Sequence, residues 1–499
     1  MSKLFFATDT NTAKKLSGLA KQREIRRVYR GIYTDNLVDP LEKIIKTHWM
    51  QIVPHIVSKG ILSFRTAVDL KPFSYKRDLE IVFVTSSYVK TIKLPGLIIK
   101  VYKGNFDSYC EHILPYLAKS NVPRMLLENL NVVKSAILKG IKTIEEAGVE
   151  KYLARELQFQ GEKRLNQIRD EAKEIAFELG YHHEYKKLTK TISALLTTHQ
   201  TASLKTPYAK AVALKESYNE NRLQAFETLS LYLQKCIFKK RVYDFTTTSF
   251  RNLSFFESYF SNFIEGTEFV IDEAEDIVFK GVEINLRHAD SHDILANFYL
   301  ANDYLEMNKT PENASEFLEI LKTRHAYLMK ERPEKEPGEF KQKPNRAGNT
   351  YFVQPHDVVG TLKKGFEIYQ LLEEGLQRAL FIHYLISEVH PFNDGNGRLS
   401  RIMMNAELVK AGLFKIIMPT VCRENYLGAL RRATRDRYFQ SYCKVMDQAQ
   451  AYTESIHWAE YGDSRTKIEF DCANKTPDEG LPIFNRALRL LALSALENN

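Results

Sequence analysis

The stretch His390-Pro391-Phe392-Asn393-Asp394-Gly395-Asn396-Gly397-Arg398-Leu399-Ser400-Arg401 decides how the chain is read. Before it, Phe381 to Val389 is apolar and reads as a helix. Pro391 cannot extend that helix, which puts His390 at the helix end. Asp394-Gly395-Asn396-Gly397 reads as a turn whose glycines let backbone N–H groups converge on an anion. From Leu399 through Asn405 the chain is helical again, and the start of that helix points at the same anion. Arg398 and Arg401, three apart, face one side of it. Asp394 can hold Mg²⁺ bridging phosphates, and His390 can take a proton from an incoming hydroxyl. The plain alternative is an Asn-Gly turn with a packed histidine. Seven polar or glycine positions falling in one register speak against it.

Working outward, 499 residues with 44% hydrophobic and 27% charged content describe a globular chain long enough for two to four domains. No run approaches 18 apolar residues, so no membrane span is expected. The N-terminus lacks an apolar core or cleavage signal of a secretory peptide. Five scattered cysteines with no CxxC pair fit a reducing cytoplasm. The net charge of +9 is uneven: residues 1–110 hold 19 Lys and Arg against 9 Asp and Glu, and the remaining 389 hold 52 against 53. A basic N-terminal segment is what a nucleic-acid surface needs, although an ordinary solubilising surface has the same composition.

Residues 4–35 suggest two short helices and a hairpin, with Thr8 or Thr10 capping a helix over 11–19 and Gly31 opening the bend in Ile25–Tyr33. Residues 41–58 read as a helix that Pro54 kinks or splits. Glu80–Thr85 and Leu97–Tyr102 read as strands bracketing Pro95-Gly96, closing a first domain near 110. A helical segment follows over 111–245, with one long amphipathic stretch at 151–179 ended by Gly180. His182-His183-Glu184 lacks the HExxH spacing of a metal site. From 250 to 460 the pattern is again helical, interrupted by a polar break from Arg332 to Asn349 that leads into a hairpin at Tyr351-Phe352-Val353-Gln354. A C-terminal helix is expected over Pro482–Leu496.

With its flanking Glu388-Val389, the stretch His390–Arg401 resembles the signature of the Fic (filamentation induced by cAMP) family. Asn345-Arg346-Ala347-Gly348, Phe352-Val353, Pro355 and Gly360-Thr361-Leu362 resemble the segment that precedes it there. The likeness covers about 250–455. It implies a protein adenylyltransferase that moves AMP from ATP to a Tyr, Ser or Thr hydroxyl of a protein target, with the chain itself among the candidates. It further implies His390 as the base, Asp394 as the Mg²⁺ ligand, Asn396 with the Gly395–Gly397 backbone on the α- and β-phosphates, Arg398 on the leaving pyrophosphate and Arg401 on the γ-phosphate. Tyr351, Phe352, Val353 and Gln354 resemble the family's target-docking flap, which pairs with an edge strand of the target.

Ser261-Asn262-Phe263-Ile264-Glu265-Gly266 resembles the family's inhibitory motif, on an aromatic helix over 255–266. There Ser261, Glu265 and Gly266 form a brake in which Glu265 engages Arg401. The N-terminus resembles AbiE-type antitoxin winged-helix regulators, with Arg26, Arg27 and Arg30 as candidate DNA contacts. His288-x-Asp290-x-His292 could bind a metal, but polar surface at a helix start is the commoner case. Arg423, Arg431, Arg432, Arg435 and Arg437 suggest interhelical salt bridges, and Tyr426 is a candidate base-facing aromatic.

The expected fold is mainly α: a helical Fic domain with a small β-hairpin flap, plus an N-terminal winged helix-turn-helix α/β module. The expected domains are 1–110, 111–245, 246–460 and a C-terminal extension at 461–499. ATP and Mg²⁺ are the expected cofactors. A hydroxyl-bearing protein, duplex DNA and a second copy of the chain are the expected partners, and a membrane is not. The alternatives are removal of AMP or transfer of another nucleotide, and a DNA-binding regulator with the Fic domain as accessory.

Overall fold

A computed structural model describes the chain except residues 1, 2, 77, 78, 134, 197–201, 283, 285, 286, 349, 495 and 497–499. It divides into two compact units, Met1–Lys215 and Glu216–Asn499.

The first unit is the α/β module. It opens with β1 (Leu4–Phe6), α1 (Thr10–Lys21), β2 (Arg26–Tyr29) and β3 (Ile32–Thr34), with the strands in the order β1-β3-β2. Residues 4–35 thus hold one helix and a three-stranded sheet, not two helices and a hairpin. Leu4–Phe6 is too short to show alternation, and it is recruited by pairing with β3. Asp9, rather than either threonine, caps α1, accepting from the Thr12 N–H at 2.8 Å. Gly31 turns the hairpin at φ +76°.

Next come α2 (Leu41–Thr47) and α3 (Trp49–Ile56), split at His48, with Pro54 tolerated inside α3. Then follow β4 (Gly60–Leu62), α4 (Phe64–Asp69), β5 (Phe73–Lys76), β6 (Leu79–Ser86), β7 (Lys90–Leu94), β8 (Leu97–Lys103), β9 (Cys110–Leu114) and β10 (Leu117–Ser120). They form a seven-stranded sheet of order β7-β8-β6-β4-β10-β9, with β5 also on β6. The Pro95-Gly96 turn joins β7 to β8, and the two expected strands, β6 and β8, lie parallel to each other. The sheet runs past residue 110, because β10 pairs with β4. Ile44, Ile45, Trp49, Ile52 and Val53 of α2 and α3 share a core with Val82, Val84 and Ile99 of the sheet. The unit ends with α5 (Val122–Leu130), α6 (Glu145–Leu179), α7 (His182–Leu196) and α8 (Pro207–Ala213). Gly180 caps α6 in the left-handed region, and Gly161 interrupts it.

The second unit is helical. It contains α9 (Glu220–Lys235), α10 (Thr247–Ile264), α11 (Ile271–Lys280), α12 (His288–Asn302), α13 (Tyr304–Met307) and α14 (Ala314–Leu328). The hairpin β11 (Arg346–Ala347) and β12 (Thr350–Tyr351) follows, then α15 (Val358–Tyr369), α16 (Leu376–Val389), α17 (Asn396–Lys410), α18 (Arg423–Asp436), α19 (Phe439–Glu454), α20 (Tyr461–Phe470) and α21 (Pro477–Leu488). The last helix starts and ends earlier than expected, with Pro477 and Pro482 both in its N-terminal half. One apolar core runs through the unit, and α10, α16 and α17 are buried along nearly their whole length. Among the described residues no helix is long and apolar enough to cross a membrane.

Candidate active site

Helix α16 ends at Val389, and His390 takes the left-handed conformation at φ +51°. Its amide still closes the helix on Ile386 O at 2.9 Å. Such a backbone costs of order 1 kcal/mol in a non-glycine residue and persists only where the surroundings fix it. The chain then turns through Gly395, at φ +70°, and becomes helical again at Asn396.

Carbonyl contacts are what fix this turn. Lys341 Nζ donates to Val389 O at 3.2 Å, and the Lys341 amide donates to Pro391 O at 2.9 Å. Asn345 Nδ2 donates to His390 O at 3.3 Å and to Phe392 O at 3.0 Å. His325 Nε2 lies 3.1 Å from Asp394 O, while its Nδ1 accepts from the Gly338 N–H at 2.9 Å, which assigns the ring proton to Nε2. Burial holds this imidazole down to about 4, so it stays neutral, and its ring stacks on Phe392 at 3.7 Å. Within the turn the Gly395 amide donates to Asp394 Oδ1 at 2.7 Å. The amides at Asn396 and Gly397 open α17, where a helix leaves its N–H groups without an intrahelical acceptor and favours an anion.

Asn396 takes part in the same fixing. Its Nδ2 donates to Phe392 O at 2.9 Å and its Oδ1 accepts the Phe392 N–H at 2.9 Å. The side chain expected on the phosphates is therefore turned inward and shapes the loop. Asp394 is half exposed, with its Oδ2 3.7 Å from Lys335 Nζ. Magnesium takes one or two carboxylates plus substrate phosphates, so this single carboxylate fits it.

The His390 imidazole is mostly enclosed. Its Nδ1 faces Ser387 O at 3.4 Å, which leaves Nε2 as the acceptor. The Phe352 ring stacks on it at 3.8 Å with planes 5° apart. Burial, and then the nearby Lys341 cation, push its pKa down to about 4. A neutral imidazole with one free lone pair is a competent base.

A carboxylate stands at the anion position. A Cβ on Gly397 would lie 2.1 Å from Glu265 Oε1. The same oxygen accepts from Arg401 Nη2 at 2.7 Å. Ser261 completes the hold on Arg401, its Oγ accepting from Nε and its carbonyl from Nη2, both at 2.9 Å. Glu265 closes α10, and Gly266 follows at φ +92°. Arg398 faces another acid: its Nη1 lies 2.8 Å from Asp293 Oδ2, and Asp293 also holds Arg332 at 2.8 Å. The two arginines of the motif therefore meet different carboxylates.

Helix α10 is firmly seated. Ser254 Oγ donates to Ala301 O at 2.9 Å, Ser258 Oγ to Ile294 O at 2.6 Å and Asn252 Nδ2 to Trp458 O at 2.9 Å. Glu257 is buried between Lys415 Nζ and Asn405 Nδ2, both at 2.8 Å.

Of the four flap residues, only Tyr351 lies in a strand, exposed on β12. Phe352 covers His390, Val353 is fully buried, and Gln354 precedes a short 3₁₀ turn. Arg222 of α9 donates to Tyr351 O at 2.9 Å and also pairs with Glu388, two residues before the histidine. Arg346 pairs with Tyr351 across the hairpin.

Other expectations change. Asp290 pairs with Arg287 and Arg332, and among the described residues no cluster of three metal-ligating side chains occurs. Tyr426 is buried, its hydroxyl 2.7 Å from His383, so it does not present an open face to a base. Arg423 and Arg431 pair with Glu424 on their own helix, while Arg423 also donates to Ile264 O of α10. In the first unit Arg27 and Arg30 are exposed, and Arg26 donates to Asp39 O at 3.0 Å. Sequence reasoning gave no role to Asp293, His325, Lys341 or Arg222. The only local sign was a polar side chain in a mainly apolar helical context, as at Asp293 and His325.

Residues 316–408 match the family model described as Fic/DOC family. Among curated proteins, the protein adenylyltransferase Fic of Drosophila persimilis is 28% identical over 187 residues, 36% of this chain and 36% of that protein. Its counterpart from Drosophila erecta is 28% identical over 187 residues, 36% and 37% of the two chains. The match thus spans little more than a third of these relatives' length. Among solved structures, Fic-1 (residues 134–508) from C. elegans aligns at a TM-score of 0.35 and 16% identity, over 67% of this chain and 98% of that one. A Fic family protein from Desulfovibrio desulfuricans G20 aligns at 0.33 and 18%, over 44% and 66%. On the motif and the family match together, the chain carries a Fic domain over residues 316–408.

Proposed function

We propose that the chain is an autoinhibited protein adenylyltransferase. In this reading His390 Nε2 takes the proton of a target Tyr, Ser or Thr hydroxyl. The freed oxygen attacks the α-phosphorus of ATP, forming the phosphodiester bond to AMP as the bond to pyrophosphate breaks. The amides at Asn396 and Gly397 and the guanidinium groups of Arg398 and Arg401 take up phosphate charge. Asp394 would hold Mg²⁺, which supplies further charge compensation there. Placement and charge supply most of the rate in such transfers.

The observation that carries this reading is the Glu265 carboxylate on Gly397 and Arg401: an anion site is built, and an internal anion stands in it. The adenylyltransferase names of the curated relatives point the same way. The inhibited state follows from the same contact, since ATP must displace Glu265 to reach Arg401. Incubation with α-labelled ATP and Mg²⁺ tests it. Label on protein should rise in Glu265→Gly and vanish when His390→Ala is added to it. Equal labelling by Glu265→Gly with and without His390→Ala would refute the assignment of the base.

A second activity is proposed for the first unit, contact with duplex DNA through Arg27 and Arg30. Its support is the basic excess of residues 1–110 and the exposure of both side chains on the β2–β3 hairpin. Full-length protein should shift a duplex at about 50 mM salt, where phosphate contacts are strong. Reversal of both arginines to Glu should abolish the shift, and an unchanged shift would refute the reading.

A further inference from the structure

We propose that Lys341 and Asn345 are positioning residues for the transfer reaction: the pair holds the His390 turn from behind and transmits the position of the flap to it. The proposal rests on the reading of His390 as the base.

Six contacts form a closed circuit. Lys341 Nζ donates to Asn345 Oδ1 at 2.6 Å and to Val389 O at 3.2 Å. Asn345 Nδ2 donates to the carbonyls of His390 and Phe392. The Asn345 carbonyl accepts from the Phe352 amide at 3.3 Å. The Phe352 ring returns to the imidazole at 3.8 Å. Asn345 therefore touches the histidine twice: directly through its backbone carbonyl, and through the aromatic ring stacked on its face. Arg346, the next residue, begins the hairpin. A target strand that shifts the hairpin shifts Asn345 and Phe352 together, so both restraints on the imidazole move with the docked segment.

Lys341 adds charge to this geometry. It is 1% exposed, and among the described residues no carboxylate pairs with it. Burial, with the nearby Arg222 cation, lowers its pKa to about 7. The charged and titratable groups acting on His390 are Lys341 from behind, Glu265 from the end of α10 and Asp394 from the turn. Lys341 is the one that disfavours the imidazolium, while the two acids favour it. Below neutral pH, where the amine is charged, it therefore keeps the base unprotonated. A lysine with only a packing role has no such effect.

The test uses the full chain in the Glu265→Gly background, reading label transfer, ATP binding and the NMR titration of the His390 ring. Lys341→Met should lower kcat at least about tenfold, as small misplacements at a reacting group do, with ATP KM within about twofold of the parent. Its imidazole should titrate higher, by about one unit, because a neighbouring cation is gone, and the acid limb of kcat should move with it. Lys341→Arg, which keeps the charge, should keep the titration. Asn345→Ala should lower kcat without moving the titration, and it stands as the independent variant if Lys341→Met fails to fold. Unchanged kcat in Asn345→Ala together with an unmoved ring titration in the lysine variant would overturn the proposal. A parent that labels no protein would instead overturn the transferase reading, and the ring titration would still report whether Lys341 acts on His390.

Discussion

Replacing Glu265 with Gln keeps the size of the side chain and removes its charge, so it isolates the electrostatic part of the brake. Glu265 Oε1 accepts a 2.7 Å hydrogen bond from Arg401, whose side chain is 5% exposed, while that of Glu265 is 32% exposed. Hydrogen bonds to charged groups contribute about 1.5–3 kcal/mol. Water reaches a third of this carboxylate, and screening reduces the figure to about 1–2 kcal/mol. ATP competing for Arg401 no longer works against that contact in the variant. At tenfold per 1.4 kcal/mol, its affinity should rise about 5- to 30-fold. Calorimetric titration with a non-hydrolysable ATP analogue and Mg²⁺ measures it. Adding Glu265→Gln to Arg401→Ala should give almost no further gain, because the second change removes the partner of the first. An affinity within twofold of wild type for both Glu265→Gln and Glu265→Gly would refute the reasoning.

Three further outcomes are expected. Because the His390 imidazole is held down to about 4, first by burial, it is neutral at any pH above that value. Transfer by Glu265→Gly should therefore stay level from pH 8 to about 5 and fall only toward 4; an acid limb at the ordinary histidine value of 6.5 would contradict this. Lys415→Met leaves Glu257 buried without its cation, which should cost about 3–5 kcal/mol in urea unfolding. An unfolding midpoint equal to wild type would show that Glu257 finds another partner. Gly397→Ala puts a methyl where the Glu265 carboxylate lies. That carboxylate ends a flexible, exposed side chain and can turn away, so the unfolding midpoint should stay near wild type while ATP binding is lost. Adding Glu265→Gly should not restore binding, because the methyl still fills the place of the phosphate; restored binding would refute the nest.

What the sequence disclosed of the site is the part whose geometry is local. From His390 to Arg401 consecutive residue types mark a helix end, a turn through Gly395 and a helix start. A stretch of twelve residues therefore suffices to place the groups, while the contacts that hold the turn come from Lys341, Asn345 and His325. Glu265 was legible only through the resemblance of Ser261–Gly266 to the family's inhibitory motif, since a glutamate at the end of an aromatic helix is by itself a common pattern. Asp293, His325, Lys341 and Arg222 were not, since each reaches the site across more than 45 residues and nothing in its own neighbourhood says so. The setting of the Asn396 side chain was not legible for a related reason: its type marks it as a polar ligand, while in the structure its amide engages Phe392 four residues away. In the first unit, the helix expected over 11–19 from a capping threonine is present as α1, Thr10–Lys21. The strand Leu4–Phe6 was not legible, because three residues carry no period and pairing with β3 alone makes them a strand.

The seating of α10 has a consequence for how such inhibition is relieved. Ser254, Glu257 and Ser258 fasten the helix along its length, and beyond Arg251 only its last turn, with Glu265 and Gly266 that follow, reaches water. A latch would open by the departure of the whole helix, and that route is closed without unfolding the core around it. What can move is one carboxylate, swinging on nanosecond timescales like any exposed side chain. On the proposed function the brake would then act as a rheostat: the fraction of molecules with the acid turned away would grow with the ATP bound. Turnover would follow the nucleotide supply smoothly, and a modulator would need only to be small enough to engage one side chain at the protein surface.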